Sequence, residues 1–258
     1  MPAIDLDLLI ETAKASGDIA RGFVDADPQV WDKGGGAGPV TEADLAVNEL
    51  MSQRLQGARP NYGWLSEETE DDTSRLKTKR QFVVDPIDGT RAFIEGSRDW
   101  AHALAVLEYG QVTAAVVYLP MRDLMYTAAK GAGAFLNGEP IQVTDKTDLE
   151  GATVLSNKAS FADKFWADGK PPPGVERKFR SSLAYRLSLA AQGRYDAMMT
   201  LRPSWEWDIA AGALIVAEAG GDVTDQTGAP LLFNNPHPQV NGVVAGSPVT
   251  SALRAALK

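Results

Sequence analysis

The sequence predicts a mixed α/β and α+β fold, antiparallel-rich in its first half and α/β in its second. Three observations lead there. Short apolar runs between residues 101 and 143 are separated by closely spaced turn residues, as in a meander of strands. Residues 183–219 follow helix, strand and helix patterns in succession. Glycine-rich and proline-rich breaks punctuate both halves, with no internal repeat and no long linker.

The elements follow in chain order. Leu6, Leu9, Ala13, Ala20 and Phe23 recur at helical spacing and predict an amphipathic first helix ending near Asp27-Pro28. The run Lys33-Gly34-Gly35-Gly36-Ala37-Gly38-Pro39 is too rich in glycine for regular structure. Thr41-Glu42-Ala43-Asp44 has the spacing of a helix cap and opens a second helix to about Gly57. Gly63-Trp64-Leu65-Ser66 reads as a short strand leading into Glu67 and Glu68, and Gln81–Val84 as a strand that stops at Asp85-Pro86. The meander comprises Ala103–Leu107, Val112–Leu119, Leu124–Ala128 and Gly133–Leu136, with turns at Tyr109-Gly110, Pro120–Asp123 and Asn137-Gly138. A further strand begins at Val154, and Pro171-Pro172-Pro173 marks a loop. Leu183–Ala191 is helical, Tyr195–Met199 a buried strand, and Ile209–Ala219 a helix stopped by Gly220-Gly221.

Charge and composition narrow the function. A net charge of -9 argues against a nucleic-acid polymer as partner, because nothing would neutralise a run of backbone phosphates. Small anionic substrates stay compatible with it, since bound metal ions reverse the sign of a site locally. The absence of cysteine excludes disulfides, thiolate zinc sites and a cysteine nucleophile. The first residues carry acids and lack the basic-then-apolar pattern of a signal peptide. No run approaches the roughly 18 apolar residues of a membrane span. The expectation is a cytoplasmic enzyme with no membrane partner.

Three acidic motifs carry chemistry. In Asp85-Pro86-Ile87-Asp88-Gly89-Thr90 two aspartates flank a turn at a strand end, where Pro86 bends the chain and Gly89 allows an unusual dihedral. Such a turn aims both carboxylates and the Ile87 carbonyl at one point, the donor set a hard divalent cation prefers. A helix starting after Gly89 would turn its free N–H groups to the same point, where they suit a phosphate. Glu67-Glu68 alone reads as a solvated pair, and Asp208 in Trp207-Asp208-Ile209 alone reads as an N-cap. His102 and His237 read as structural or surface residues, so no Ser/His/Asp set is evident.

Taken in order, Pro39-Val40-Thr41-Glu42-Ala43-Asp44, Glu67-Glu68, the Asp85–Thr90 turn and Trp207-Asp208 resemble the motifs of the inositol monophosphatase family. The runs Lys130–Gly138 and Glu218–Gly221 extend the resemblance over about residues 5 to 247. It implies a layered α-β-α-β-α sandwich, with residues 1–148 carrying most metal ligands and residues 149–258 completing the site. It implies a Mg²⁺-dependent, lithium-sensitive phosphatase acting on a small phosphate ester with two or three ions. Glu67, Asp85 and the Ile87 carbonyl would hold the first ion, and Asp85, Asp88 and Asp208 the second. Glu67, with Glu68 through water, would hold a weaker third. Thr90, hydrogen-bonded to Asp44, would activate the attacking water, making Asp44, Thr90 and Glu67 the catalytic set. The Gly89 and Thr90 amides would hold the phosphate. The Lys33 loop is either a lid over this site or a plain flexible loop, and the resemblance also implies a homodimer.

The substrate is less defined. Ser181, Ser182 and Arg186 fall where the family's substrate pocket is bordered. The lysine that bisphosphate nucleotidases carry after Ser-Ser-Leu is Ala184 here, and the glutamate with which inositol-specific members accept hydroxyls is Leu201. Arg91 and Arg202, unless they are plain surface residues, would meet a second anionic group. Ala184 counts against a bisphosphate nucleotidase and Leu201 against an inositol-specific enzyme; a 3′(2′),5′-bisphosphate nucleotide stands slightly ahead of inositol-1-phosphate and histidinol phosphate. A regulatory binding protein that keeps the fold is the alternative from another class, and the complete set of acids weighs against it.

Overall fold

The computed structural model describes residues 2–24, 26, 28–35 and 38–258. The first helix ends at Arg21, short of the expected end near Asp27-Pro28; Asp27 itself, and Gly36 and Ala37 of the glycine run, lie outside the described residues. The chain begins with α1 (Pro2–Arg21), a hairpin of β1 (Val30–Asp32) and β2 (Pro39–Thr41), and α2 (Glu42–Ala58). Thr41 caps α2 through a reciprocal box with Asp44, as the spacing predicts. Ala43, Val47, Met51 and Leu55 recur every four residues and form its buried face.

A seven-stranded sheet follows, ordered β3 (Gly63–Ser66), β4 (Arg80–Asp88), β5 (Ala101–Glu108), β6 (Gln111–Leu119), β7 (Leu124–Ala129), β8 (Ala134–Leu136) and β9 (Glu139–Pro140). Only β3 and β4 pair in parallel; the rest is the predicted antiparallel meander. Its turns use residues at positive φ, Tyr109-Gly110 and Asn137-Gly138, which suits hairpin twist. Strand alternation sorts the side chains into two layers. Phe82, Val84, Leu104, Val106 and Val116 pack with α1 and α2, while Val83, Ala103, Ala105, Leu107 and Val117 join the central core.

The second half adds β10 (Thr153–Leu155), β11 (Glu176–Lys178), α4 (Leu183–Ala191), β12 (Ala197–Thr200), β13 (Ser204–Trp205), α5 (Glu206–Glu218), β14 (Asp222–Thr224), β15 (Gln239–Val240), β16 (Val243–Gly246) and α6 (Val249–Ala255). A five-stranded mixed sheet runs β11-β10-β12-β16-β14. Helices α4 and α5 lie between the two sheets, and α6 packs on the outer side of the second. The layers are therefore α1/α2, sheet, α4/α5, sheet, α6, the expected α-β-α-β-α sandwich. The small residues of α5 serve α4: a Cβ at Gly212 would stand 2.5 Å from Leu187 Cβ.

Two boundaries differ from expectation where the site lies. Strand β4 does not stop at Asp85 but runs through Pro86 to Asp88, with its pairing to β5 broken between Asp85 and Asp88. Proline cannot donate to the ladder, so the strand continues only as a bulge. The short helix α3 (Thr90–Ile94) follows at once. Helix α5 begins at Glu206, three residues before the expected Ile209, so Asp208 sits inside its first turn and is not its cap.

Candidate functional site

Three segments deliver four acids to one cleft of about 650 Å³. Glu67 leaves the end of β3, Asp85 and Asp88 flank the β4 bulge, and Asp208 projects from the first turn of α5. Carboxylate oxygens of Glu67, Asp85 and Asp208 all lie within 4.8 Å of one another. Asp85 is buried, and its Oδ1 has no hydrogen-bond partner among the described residues. Burial, then the charges of Glu67, Asp88 and Asp208, push the Asp85 carboxyl well above its usual range. Burial and the charges of Asp88 and Glu67 do the same to Asp208. Burial also raises Asp88, against the pull of hydrogen bonds from Ser182 and α4.

The hairpin supplies the one ammonium that engages these acids among the described residues. Lys33 Nζ lies 2.7 Å from Glu67 Oε1 and 2.5 Å from Glu68 Oε1. Burial disfavours the Lys33 charge, but the two glutamates outweigh it and raise the ammonium's pKa. Glu68 is pushed up to about 7, chiefly by burial and by Glu67, with Lys33 opposing. Lys33 thus reaches over the acidic site in this structure.

Asp44 and Thr90 meet from α2 and α3. The capping box holds Asp44 Oδ2, which accepts from Thr41 N at 2.8 Å and Thr41 Oγ1 at 2.6 Å. This leaves Oδ1 to accept from Thr90 Oγ1 at 3.3 Å, while the Ile87 carbonyl lies 3.2 Å from the same hydroxyl. Burial lifts Asp44 to about 6. Gly89 takes φ +102°, a conformation that favours glycine, and turns the chain from the bulge into α3.

Among the expected substrate contacts, Gly89, Thr90, Arg91, Ser181, Arg186 and Arg202 line the cleft. Ser182 corrects its expectation. It is fully buried as the N-cap of α4, donating to Asp88 Oδ2 at 2.6 Å and accepting from Tyr185 N at 2.9 Å. Its hydroxyl orients Asp88 and is not free for a substrate. Leu201 turns into the outer core, so Arg202 is the residue that presents itself to the cleft. Arg186 is 4% exposed, with its guanidinium 4.6 Å above the half-exposed Phe179 ring. Burial and Arg202 lower its pKa to about 10, with Asp88 opposing. Sequence reasoning missed Asn157 and Phe179, which also line the cleft and belong to no motif, and gave no role to Leu183, which lines it too. His102 is structural, with Nδ1 bonded to the Pro86 carbonyl beneath the bulge.

The family model described as "Inositol monophosphatase family" matches residues 5–257. The chain belongs to the inositol monophosphatase family. It is 32% identical to an inositol-1-monophosphatase of Rhizobium meliloti, over 86% of each chain. It is 35% identical to the Nus factor SuhB of Pseudomonas aeruginosa, over 81% of this chain and 78% of that one. Among solved structures, the extragenic suppressor protein suhB of Bartonella henselae aligns with a TM-score of 0.83 at 28% identity, covering 99% of this chain and 98% of its own. The Thermotoga maritima IMPase aligns with a TM-score of 0.83 at 27% identity, covering 99% and 96%. Membership makes this chain a metal-dependent phosphomonoester hydrolase acting on small phosphate esters. The donor set fits such a metal: hard carboxylate oxygens of Glu67, Asp85 and Asp208 converge, and Asp85 also has a buried oxygen, Oδ1, with no hydrogen-bond partner among the described residues. No described helix is long and apolar enough to cross a membrane.

Proposed function

We propose that the chain hydrolyses a phosphate monoester with two or three Mg²⁺ ions held by Glu67, Asp85, Asp88, Asp208 and the Ile87 carbonyl, with Glu68 at the weakest position. The observation that carries this reading is the convergence of carboxylate oxygens of Glu67, Asp85 and Asp208 within 4.8 Å of one another, with Asp85 Oδ1 left without a hydrogen-bond partner among the described residues. Like charges so close disfavour full ionisation unless cations compensate them. Bound Mg²⁺ would supply Lewis-acid stabilisation of the phosphoryl oxygens and acidify water.

The remaining work falls to this chain's own groups. Asp44 Oδ1, oriented by the Thr41 cap, accepts the Thr90 proton, so Thr90 Oγ1 keeps a lone pair for a water proton. That pairing fixes the water's direction and lets its proton pass toward Asp44. The Gly89 and Thr90 amides at the start of α3 lack intrahelical acceptors and are free to bind phosphate oxygens. Ser182 and the Ala184 amide, both 2.6 Å from Asp88 Oδ2, hold that carboxylate in place.

For the alcohol part we favour a 3′(2′),5′-bisphosphate nucleotide over inositol-1-phosphate or histidinol phosphate. Three arginines, Arg91, Arg186 and Arg202, line the cleft and form no ion pair among the described residues, which supports a substrate with a second anionic group. The neighbouring Phe179 ring offers an apolar face. The test is phosphate release from nucleotide, sugar and amino-alcohol phosphates, each with Mg²⁺ and with chelator. Release unaffected by chelator would overturn the metal reading. Preference for singly phosphorylated polyols would overturn the substrate reading alone.

A further inference from the structure

The loop that carries Glu67 and the helix that carries Asp208 are joined by a buried polar bridge that involves neither carboxylate. Arg75, in the turn after that loop, is 1% exposed. Its Nε and Nη2 hold Asp71, four residues beyond Glu67, at 3.1 and 2.7 Å. The same guanidinium reaches into the second half of the chain. Nη1 donates to Asn234 Oδ1 at 2.7 Å, and Nη2 to the Asn235 carbonyl at 2.9 Å.

Glu206 grips the same two residues. It is wholly buried in the first turn of α5, two residues before Asp208. One carboxylate oxygen accepts from Asn234 N, and the other from Asn235 N and Asn235 Nδ2, each at 2.8 Å. Asn234 holds φ +64°, which turns its side chain to Arg75 while its N–H serves Glu206. On the other flank Arg75 packs against β3 itself: a Cβ at Gly63 would lie 2.8 Å from Arg75 Cβ.

The bridge is costly. The buried Glu206 and Arg75 lose hydration and recover it only through complete hydrogen bonding, while Asp71 stays partly exposed. A hydrophobic contact would hold the same segments together more cheaply. What the polar bridge adds is direction, because every bond has a fixed donor and acceptor. The load it opposes is also specific. Glu67 and Asp208 repel each other, and the loop and α5 that carry them are the segments tied here.

We infer that Arg75 is a positioning residue which, through Asn234–Asn235 and Glu206, sets the separation of Glu67 and Asp208 and thereby the affinity of the acidic site for divalent cations. The inference rests on the metal reading above. Groups that hydrogen-bond a metal ligand directly typically change metal affinity by about 10- to 100-fold when removed, and a bridge one step further out falls at the lower end of that range.

The probe is Mg²⁺ alone, titrated calorimetrically into the full chain, with thermal melts in chelator and in Mg²⁺. Two variants cut the bridge. Arg75→Lys keeps the charge and loses the fork. Asn234→Gly removes only the acceptor and suits the left-handed backbone. Arg59→Ala is the control, since it breaks an ion pair to Asp5 in the outer helical layer. The expected result is a Mg²⁺ Kd raised about tenfold in both bridge variants, with a smaller Mg²⁺-induced rise in Tm. Arg59→Ala should lower Tm and leave Kd unchanged. A folded Asn234→Gly protein with wild-type Mg²⁺ affinity overturns the inference, as does an equal loss of affinity in Arg59→Ala. If the wild-type chain binds no Mg²⁺, the metal reading falls and takes this one with it. Wild-type binding with unchanged variants removes the bridge alone.

Discussion

Asp85→Asn should stabilise the metal-free protein and destroy its metal-dependent activity. The substitution keeps the shape and removes one charge from a group whose oxygens lie within 4.8 Å. At that distance, with an effective dielectric constant of about 20, each ionised pair repels by roughly 3.5 kcal/mol. Asp85 faces two such partners, but it escapes part of the cost by taking up a proton. Protonating a carboxyl with an ordinary value of 3.8 at neutral pH costs about 4 kcal/mol, which caps the penalty. Allowing for desolvation of the amide, the expected gain in chelator is about 2–4 kcal/mol, or on the order of 5–15 °C in Tm. The sign with pH follows from the raised carboxyl. Its contribution is harmless below the unfolded value and becomes a penalty as pH rises, so the variant's advantage should vanish near pH 4 and grow toward pH 8. In saturating Mg²⁺ the order should reverse, because the wild type gains binding energy that the amide cannot supply. Thermal and urea melts in chelator and in Mg²⁺, with phosphate release beside them, make the test. A variant less stable than wild type in chelator at pH 8 would refute the electrostatic reasoning, and undiminished Mg²⁺-dependent turnover would refute the ligand assignment.

Thr90→Val should lower kcat by about 10²-fold or more and leave calorimetric Mg²⁺ affinity nearly unchanged, since the hydroxyl serves proton transfer to Asp44. Arg202→Ala should raise KM for adenosine 3′,5′-bisphosphate about tenfold, as loss of a charge-assisted hydrogen bond does, and leave p-nitrophenyl phosphate turnover unaltered. His102, held to about 4 by burial, should contribute stability that is present above pH 6.5 and lost as pH falls through 4. That span corresponds to about 3 kcal/mol, and His102→Asn, whose amide can still donate to the Pro86 carbonyl, should flatten this part of the urea-melt pH profile.

The fold was most legible where one physical signal dominated. Strand alternation and residues suited to positive φ marked the meander from β5 to β8, and the helical pattern of Leu183–Ala191 matches α4 residue for residue. Boundaries near the site were harder to read, because there the local rules are broken. Pro86 argues against a strand, yet β4 continues past it as a bulge that turns Asp85 and Asp88 toward the cleft. Trp205 offers no side-chain cap, so nothing local marks the start of α5 at Glu206. Ser182 reads as a substrate contact from its place before the helix, and only its burial as the α4 cap against Asp88 corrects that. Phe179 and Asn157 reach the cleft by tertiary placement alone.

The bridge between Arg75 and Glu206 was the least legible feature, since an Arg in a polar loop and a Glu in a first helical turn are each ordinary surface residues by composition. Their burial follows from what surrounds them. Glu67, Asp85, Asp88 and Asp208 form an assembly that opposes its own folding when metal-free, and Lys33 neutralises only its glutamate side. Apolar packing holds layers together but does not resist a shift of a fraction of an ångström along the interface as hydrogen bonds of fixed direction do. A site that must keep repelling carboxylates at a metal's ligand distance therefore needs directional bonds between the segments that carry them. Here those bonds run from the Glu67 loop through Asn234 and Asn235 to the helix of Asp208.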